Sequence, residues 1–123
     1  MHSWLSRLRH DLVKRAVWPA RDLRDAAREP APADLLQLRR GLFDLRDDDG
    51  RVSTATGLWE RLRAEAPALL APAALDAFGA AVLQAERAVT GLAAEPRNWP
   101  AGLDAVLGIE HAFADLARTL EGE

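Results

Sequence analysis

The stretch PAALDAFGAAVLQAERAVTGL, Pro72 to Leu92, decides the fold class. Leu75, Phe78, Val82, Ala85, Val89 and Leu92 recur at alternating steps of three and four residues. That period puts all six on one stripe of an α-helix, as in a coiled-coil seam. No apolar–polar alternation of the kind a half-buried strand needs is present. Pro72 reads as the first helical residue, where proline's preset φ helps and its missing N–H costs nothing. Gly91 and the run EPRN, 95–98, end the helix.

Outward from this stretch the same period repeats. Trp99-Pro100-Ala101 opens a last helix with Leu103, Val106, Ile109, Phe113, Leu116 and Leu120 on one face. Two long helices, about 72–93 and 100–121, joined by a short loop, are expected to pack antiparallel. Upstream, Leu35, Leu38, Leu42 and Leu45 form another stripe, widened by Leu36 and Phe43 and ended by a turn at Asp47 to Gly50. Ser53, Thr54 or Thr56 caps the next helix, which carries Leu58, Trp59 and Leu62. Pro67 and Pro72 bound a short ALLA step. The reading is an all-α, compact helical bundle of five or six helices. It is a single domain, residues 1–123, in which 1–28 form a basic amphipathic N-terminal arm that packs on the bundle or projects from it.

The arm places Leu5, Leu8, Leu12 and Ala16 on one stripe, with Val13 at its edge and Arg7, His10 and Lys14 turned away. Trp18-Pro19 interrupts it. Proline removes a helical hydrogen bond and clashes with the preceding turn, and it biases the residue before it away from the helix. A break or kink near Val17 is therefore expected, with Pro19 opening a short helix through Arg21, Leu23 and Arg24. Six of the seven prolines precede alanine, and acids follow four of them at Asp22, Asp34, Asp76 and Asp104. Acids near a helix start favour the positive end of its dipole. Trp-Pro thus reads as helix punctuation, and Glu29 to Ala33, EPAPA, as a stiff linker.

Composition bounds the function. The 123 residues suffice for a core without staples. Cysteine is absent, which excludes disulfides, thiolate metal sites and cysteine nucleophiles. Charges interrupt the amino terminus before a signal-peptide core forms, and no stretch approaches a membrane span. A soluble, cytoplasmic, bacterial protein is the expectation. Basic residues are 15 Arg and one Lys, a bias that reads as a GC-rich genome rather than as guanidinium chemistry. The net charge of −3 is unevenly spread. Residues 1–28 carry seven Arg or Lys against three Asp, and residues 29–123 carry nine Arg against sixteen acids. Such segregation points the arm at something acidic, either a partner or the body of the same chain.

Chemical motifs do not assemble. Glu86 and Glu110 flank apolar stripes on the long helices, but a di-metal carboxylate site needs Glu-x-x-His pairs. Val89 and Phe113 stand where those histidines belong. Rim glutamates paired with arginines are the better reading. Asp47 to Ser53, DDDGRVS, puts Leu45 and Thr56 at two anchor positions of a calcium loop, and both are wrong for it. His2, His10 and His111 have no metal-ligand spacing, and no segment places Ser53 on a nucleophile elbow. Gly79 either lets a neighbouring helix come close or lines a small cavity. The acidic body argues against a nucleic-acid partner.

No catalytic residue, cofactor or metal is therefore assigned. The expected role is that of a non-enzymatic, protein-binding accessory or adaptor. Its partner-binding residues are Trp4, Leu8, Arg15, Trp18, Arg21 and Arg24, fitting a partner with an acidic or apolar groove. The alternatives are a peripheral protein on an anionic membrane surface, or a ligand-binding protein or enzyme with a pocket near Gly79, Glu86 and Glu110. A homo-oligomer is compatible with either.

Overall fold

A computed structural model describes residues 10, 12–46, 52–65 and 71–121. Among them five α-helices run in order: α1 (Trp18–Ala26), α2 (Pro32–Phe43), α3 (Ala55–Glu65), α4 (Pro72–Gly91) and α5 (Trp99–Glu121). The fold is an all-α bundle. A single antiparallel ladder of two-residue strands, β1 (Leu45–Arg46) and β2 (Val52–Ser53), pairs Leu45 with Ser53 and Arg46 with Val52. Leu45 thus leaves the helical stripe expected of it, because α2 stops at Phe43, yet its side chain is still fully buried. The Asp47–Gly50 turn and the ALLA step up to Leu70 lie outside the described residues.

Helices α4 and α5 make the most extensive contact in the fold. Phe78 near the start of α4 meets Phe113 near the end of α5, with ring centroids 5.2 Å apart and planes at 89°. At the other end Leu92 packs on Gly102, where an added Cβ would stand 2.9 Å from Leu92 Cδ1. That pairing of early with late residues is the antiparallel arrangement expected from the stripes. Leu75, Phe78, Val82, Ala85, Val89 and Leu92 are all buried, as are Leu103, Val106, Ile109, Phe113 and Leu116. Large apolar side chains of this kind each contribute roughly 1.5–3 kcal/mol on full burial. The edge-to-face ring pair adds about 0.5–1.5 kcal/mol. Helix α4 also carries α3 and α2, while α5 carries α1.

The proline-led helix starts behave in different ways. At α2, Pro32 follows an extended Ala31, and the Asp34 carboxylate accepts the Ala31 N–H at 2.9 Å. That is the reciprocal half of a capping box. Asp22, Asp76 and Asp104 fall beyond the first turns of α1, α4 and α5, so the dipole role expected of them holds only for Asp34.

At Trp18-Pro19 the short helix opens as expected, with Pro19 in the first turn of α1, but the junction before it is not a break. Residues 13–17 form a π-helical turn, Val13–Val17, that runs straight into α1. Leu12, Val17 and Trp18 all keep right-handed helical angles. The Trp18 N–H donates to the Val13 carbonyl, a five-residue step. A π-turn inserts one extra residue and widens the helix locally. The widened turn gives the pyrrolidine ring room against the turn before it, so the helix continues where a narrower one would stop. Helix α1 ends instead at Ala27, which takes the left-handed conformation at φ 53°.

Candidate functional site

The N-terminal segment, from Leu12 on, is docked. Leu12, Ala16, Val17 and Ala20 are buried against α2 and α5. Arg21 of α1 donates to the Glu110 carboxylate of α5, and Arg24 stands 3.9 Å from Asp104. Two of the arm's cations therefore face acids of the same chain. Glu110 is an arginine-paired rim residue, as its position beside the stripe suggests. Trp4 and Leu8 lie outside the described residues.

Trp18 and Arg15 have another fate. The Trp18 side chain is 49% exposed although Val17 beside it is fully buried. It lies roughly opposite Ala16 around the helix, on the outer face. Arg15, one turn earlier, is also exposed, and its Nη1 donates to the Asp44 carbonyl oxygen at 2.6 Å. Lys14 is exposed beside it.

These cations border an open groove of about 420 Å³ between the π-turn and α2. Lys14, Arg15, Gln37, Arg40, Gly41 and Asp44 line it. Its geometry depends on Gly41. A Cβ there would fall on the Arg15 carbonyl, 2.7 Å from the carbonyl carbon. Only glycine lets the two backbones meet so closely. The carbonyl in contact belongs to the residue four before Pro19, which has no N–H to offer it. The close approach brings Arg40, next to Gly41, alongside Lys14 and Arg15. Arg40 escapes a reading of the sequence because nothing local marks it. The signal that would have found it is Gly41, an isolated glycine within a leucine-rich helix.

A second groove, about 320 Å³ and more apolar, lies where the α1–α2 linker, α2 and the end of α4 converge. Pro30, Leu35, Leu36, Val89, Leu92 and Pro96 contribute to it. Leu36, expected to widen the buried face of α2, is 48% exposed. The buried arc of α2 is centred on Leu38, Gly41 and Leu42, which leaves Leu36 on its far side.

Gly79, Glu86 and Glu110 each face a specific neighbour. The Trp59 indole lies on Gly79, 2.7 Å from Nε1 to an added Cβ, and donates to the Leu75 carbonyl at 2.9 Å. Gly79 thus serves a close approach by a side chain. Glu86 is buried, unlike a rim residue. Its carboxylate accepts the Thr56 N–H at 2.8 Å and the Thr56 hydroxyl. The Thr54 hydroxyl accepts the Gly57 N–H at 3.0 Å. Thr54 is therefore the N-cap of α3, and Glu86 completes the cap from α4 by satisfying a further orphan donor at the positive helix end.

Among the described residues, no three His, Asp or Glu side chains stand where they could share a metal ion. His10 and His111 are both exposed. No described helix is long and apolar enough to cross a membrane. No protein-family model, curated protein or solved structure matches this chain.

Proposed function

We propose that this protein is a non-enzymatic binding module, an accessory or adaptor, that docks on a partner protein through the outer face of its N-terminal helix. The observation that carries the reading is Trp18. Trp18, 49% exposed, stands on a helix seated in the core by the buried Leu12, Ala16, Val17 and Ala20. Tryptophan and arginine are the residues that most often anchor protein interfaces, and a pre-positioned anchor loses little entropy on binding. The π-turn beneath it supports the same reading, because such insertions occur often at functional sites. In this reading Arg21 and Arg24 serve the packing of α1 on α5. The contact surface is Trp18 with Lys14 and Arg15.

The test is affinity capture from native lysate with the full chain and with its Trp18→Ala variant. Trp18 is half covered by the chain, so the truncation should cost about 1 kcal/mol and leave the variant folded. Thermal melting should therefore show a small downward shift, while one or more partners are retained by the parent and lost by the variant. Equal capture by both proteins, or a variant that unfolds, rejects the reading. Flotation of the parent with anionic vesicles, lost on Trp18→Ala, would replace the protein partner by a lipid surface.

A further inference from the structure

We infer that the groove between the π-turn and α2 receives a carboxylate-rich peptide segment of the partner, beside the Trp18 anchor; this rests on the reading of Trp18 as a docking residue. Among the described residues that line the groove, Lys14, Arg15 and Arg40 are cations and Asp44 is an acid. This is a concentration of positive charge on a chain that carries −3 overall. The Arg15 guanidinium is already oriented by its 2.6 Å bond to the Asp44 carbonyl oxygen. Its planar fork has five N–H donors, so donors remain for a carboxylate. Lys14 and Trp18 lie one helical turn apart on the exposed side. A ligand seated in the groove therefore has an apolar anchor within reach of its charged contacts.

The layout favours a peptide over other anions. The cations are exposed and come from two elements along an open trough, so they suit several separate carboxylates. A compact phosphate is bound best by donors converging on one point. A long polyanion, such as a nucleic acid or a membrane surface, would have to pass over the acidic remainder of the chain. Residues 29–123 carry sixteen acids against nine arginines. A short acidic segment avoids that repulsion, since charges further away than about 8–10 Å are screened at physiological salt. Gln37 adds a neutral donor and acceptor suited to a peptide backbone.

The experiment is selection of a random 16-residue peptide display library on the full chain at 100 mM salt. Selected peptides are then titrated by fluorescence anisotropy against the parent, Arg40→Glu, Lys14→Gln and Trp18→Ala. Peptides enriched in Asp and Glu next to an apolar residue, weakened about tenfold by Arg40→Glu and by added salt, are the expected result. Arg40→Gln, with a smaller loss, guards against a folding effect of the charge reversal, and circular dichroism confirms the fold of each variant. Neutral or basic peptides that depend on Trp18 and ignore Arg40 would overturn the acidic-segment inference and leave the Trp18 reading standing. Peptides indifferent to both residues, or no selected peptide at all, would overturn both. Competition by inorganic phosphate at low millimolar concentration, with no peptide preference, would assign the groove to small anions and reject the inference.

Discussion

Three glycines of one chain carry opposite consequences for the same substitution. At Gly41 an added methyl meets the backbone carbonyl of Arg15, which cannot rotate away as a side chain would. Gly41→Ala should lower stability by about 1–3 kcal/mol, the usual cost of overpacking, despite alanine's better helix propensity. Gly108, inside α5, has nothing within 4 Å of an added Cβ. Gly108→Ala should raise stability by about 0.5–1 kcal/mol, because glycine loses more freedom on folding. Urea denaturation of the two variants reads both signs: a neutral or stabilising Gly41→Ala would show the Gly41 contact to be dispensable, and a destabilising Gly108→Ala would show that its surroundings are not open. Gly79 is intermediate in kind, since its neighbour is the Trp59 ring. The ring can shift, at the loss of its bond to the Leu75 carbonyl.

Helix α3 shows how an element is held by residues far away in sequence. Thr54 caps it locally, and Glu86 caps it from α4. Thr54→Ala should cost about 1 kcal/mol, as for other N-caps. Glu86→Ala removes the acceptor of the Thr56 N–H and hydroxyl at a half-buried helix end, and an unsatisfied group there costs roughly 1–3 kcal/mol. The two changes act on one helix end, so their sum should differ from the double variant. A double-mutant cycle by chemical denaturation measures that difference; strict additivity would show that the two caps act independently, and no loss from Glu86→Ala alone would show that Glu86 does not act as a cap. The N-terminal helix makes the complementary point. Its proline is absorbed by a π-turn, and the freed Arg15 carbonyl is met by Gly41. A helix expected to break or kink there runs on through a widened turn and forms the wall of a groove.

For the molecule as a whole, the question is what holds the basic arm to the acidic body. Charge is the weaker agent. The Arg21 and Glu110 side chains are 44% and 32% exposed, and such pairs are worth about 0–1 kcal/mol. Arg24 and Asp104 are more exposed still and 3.9 Å apart. Leu12, by contrast, is fully inside the core. Leu12→Ala should therefore cost about 2–5 kcal/mol, while Arg24→Gln should leave the melting temperature almost unchanged. A thermal scan of both variants checks the order, and a larger loss for Arg24→Gln would make the docking electrostatic. With the described part of the arm fixed by Leu12, Ala16, Val17 and Ala20, Lys14 and Arg15 remain on the outside.

The sequence by itself determined the class of fold, the helices and the core. The stripes from Leu75 to Leu92 and from Leu103 to Leu116 are periodic, and periodicity is a local property that survives without knowledge of neighbours. The loop length between them sufficed for their antiparallel packing. Tertiary structure alone decided the rest. Whether Trp18-Pro19 breaks a helix depends on whether a widened turn can be tolerated, and Gly41 of another helix supplies that tolerance. Whether Glu86 is a rim residue depends on where the start of α3 lies. The groove that joins Lys14 and Arg15 to Arg40 brings together cations up to 26 positions apart in the chain, Lys14 and Arg40. No local pattern encodes such a meeting, because it arises from backbone contact between two helices whose side chains are spaced independently.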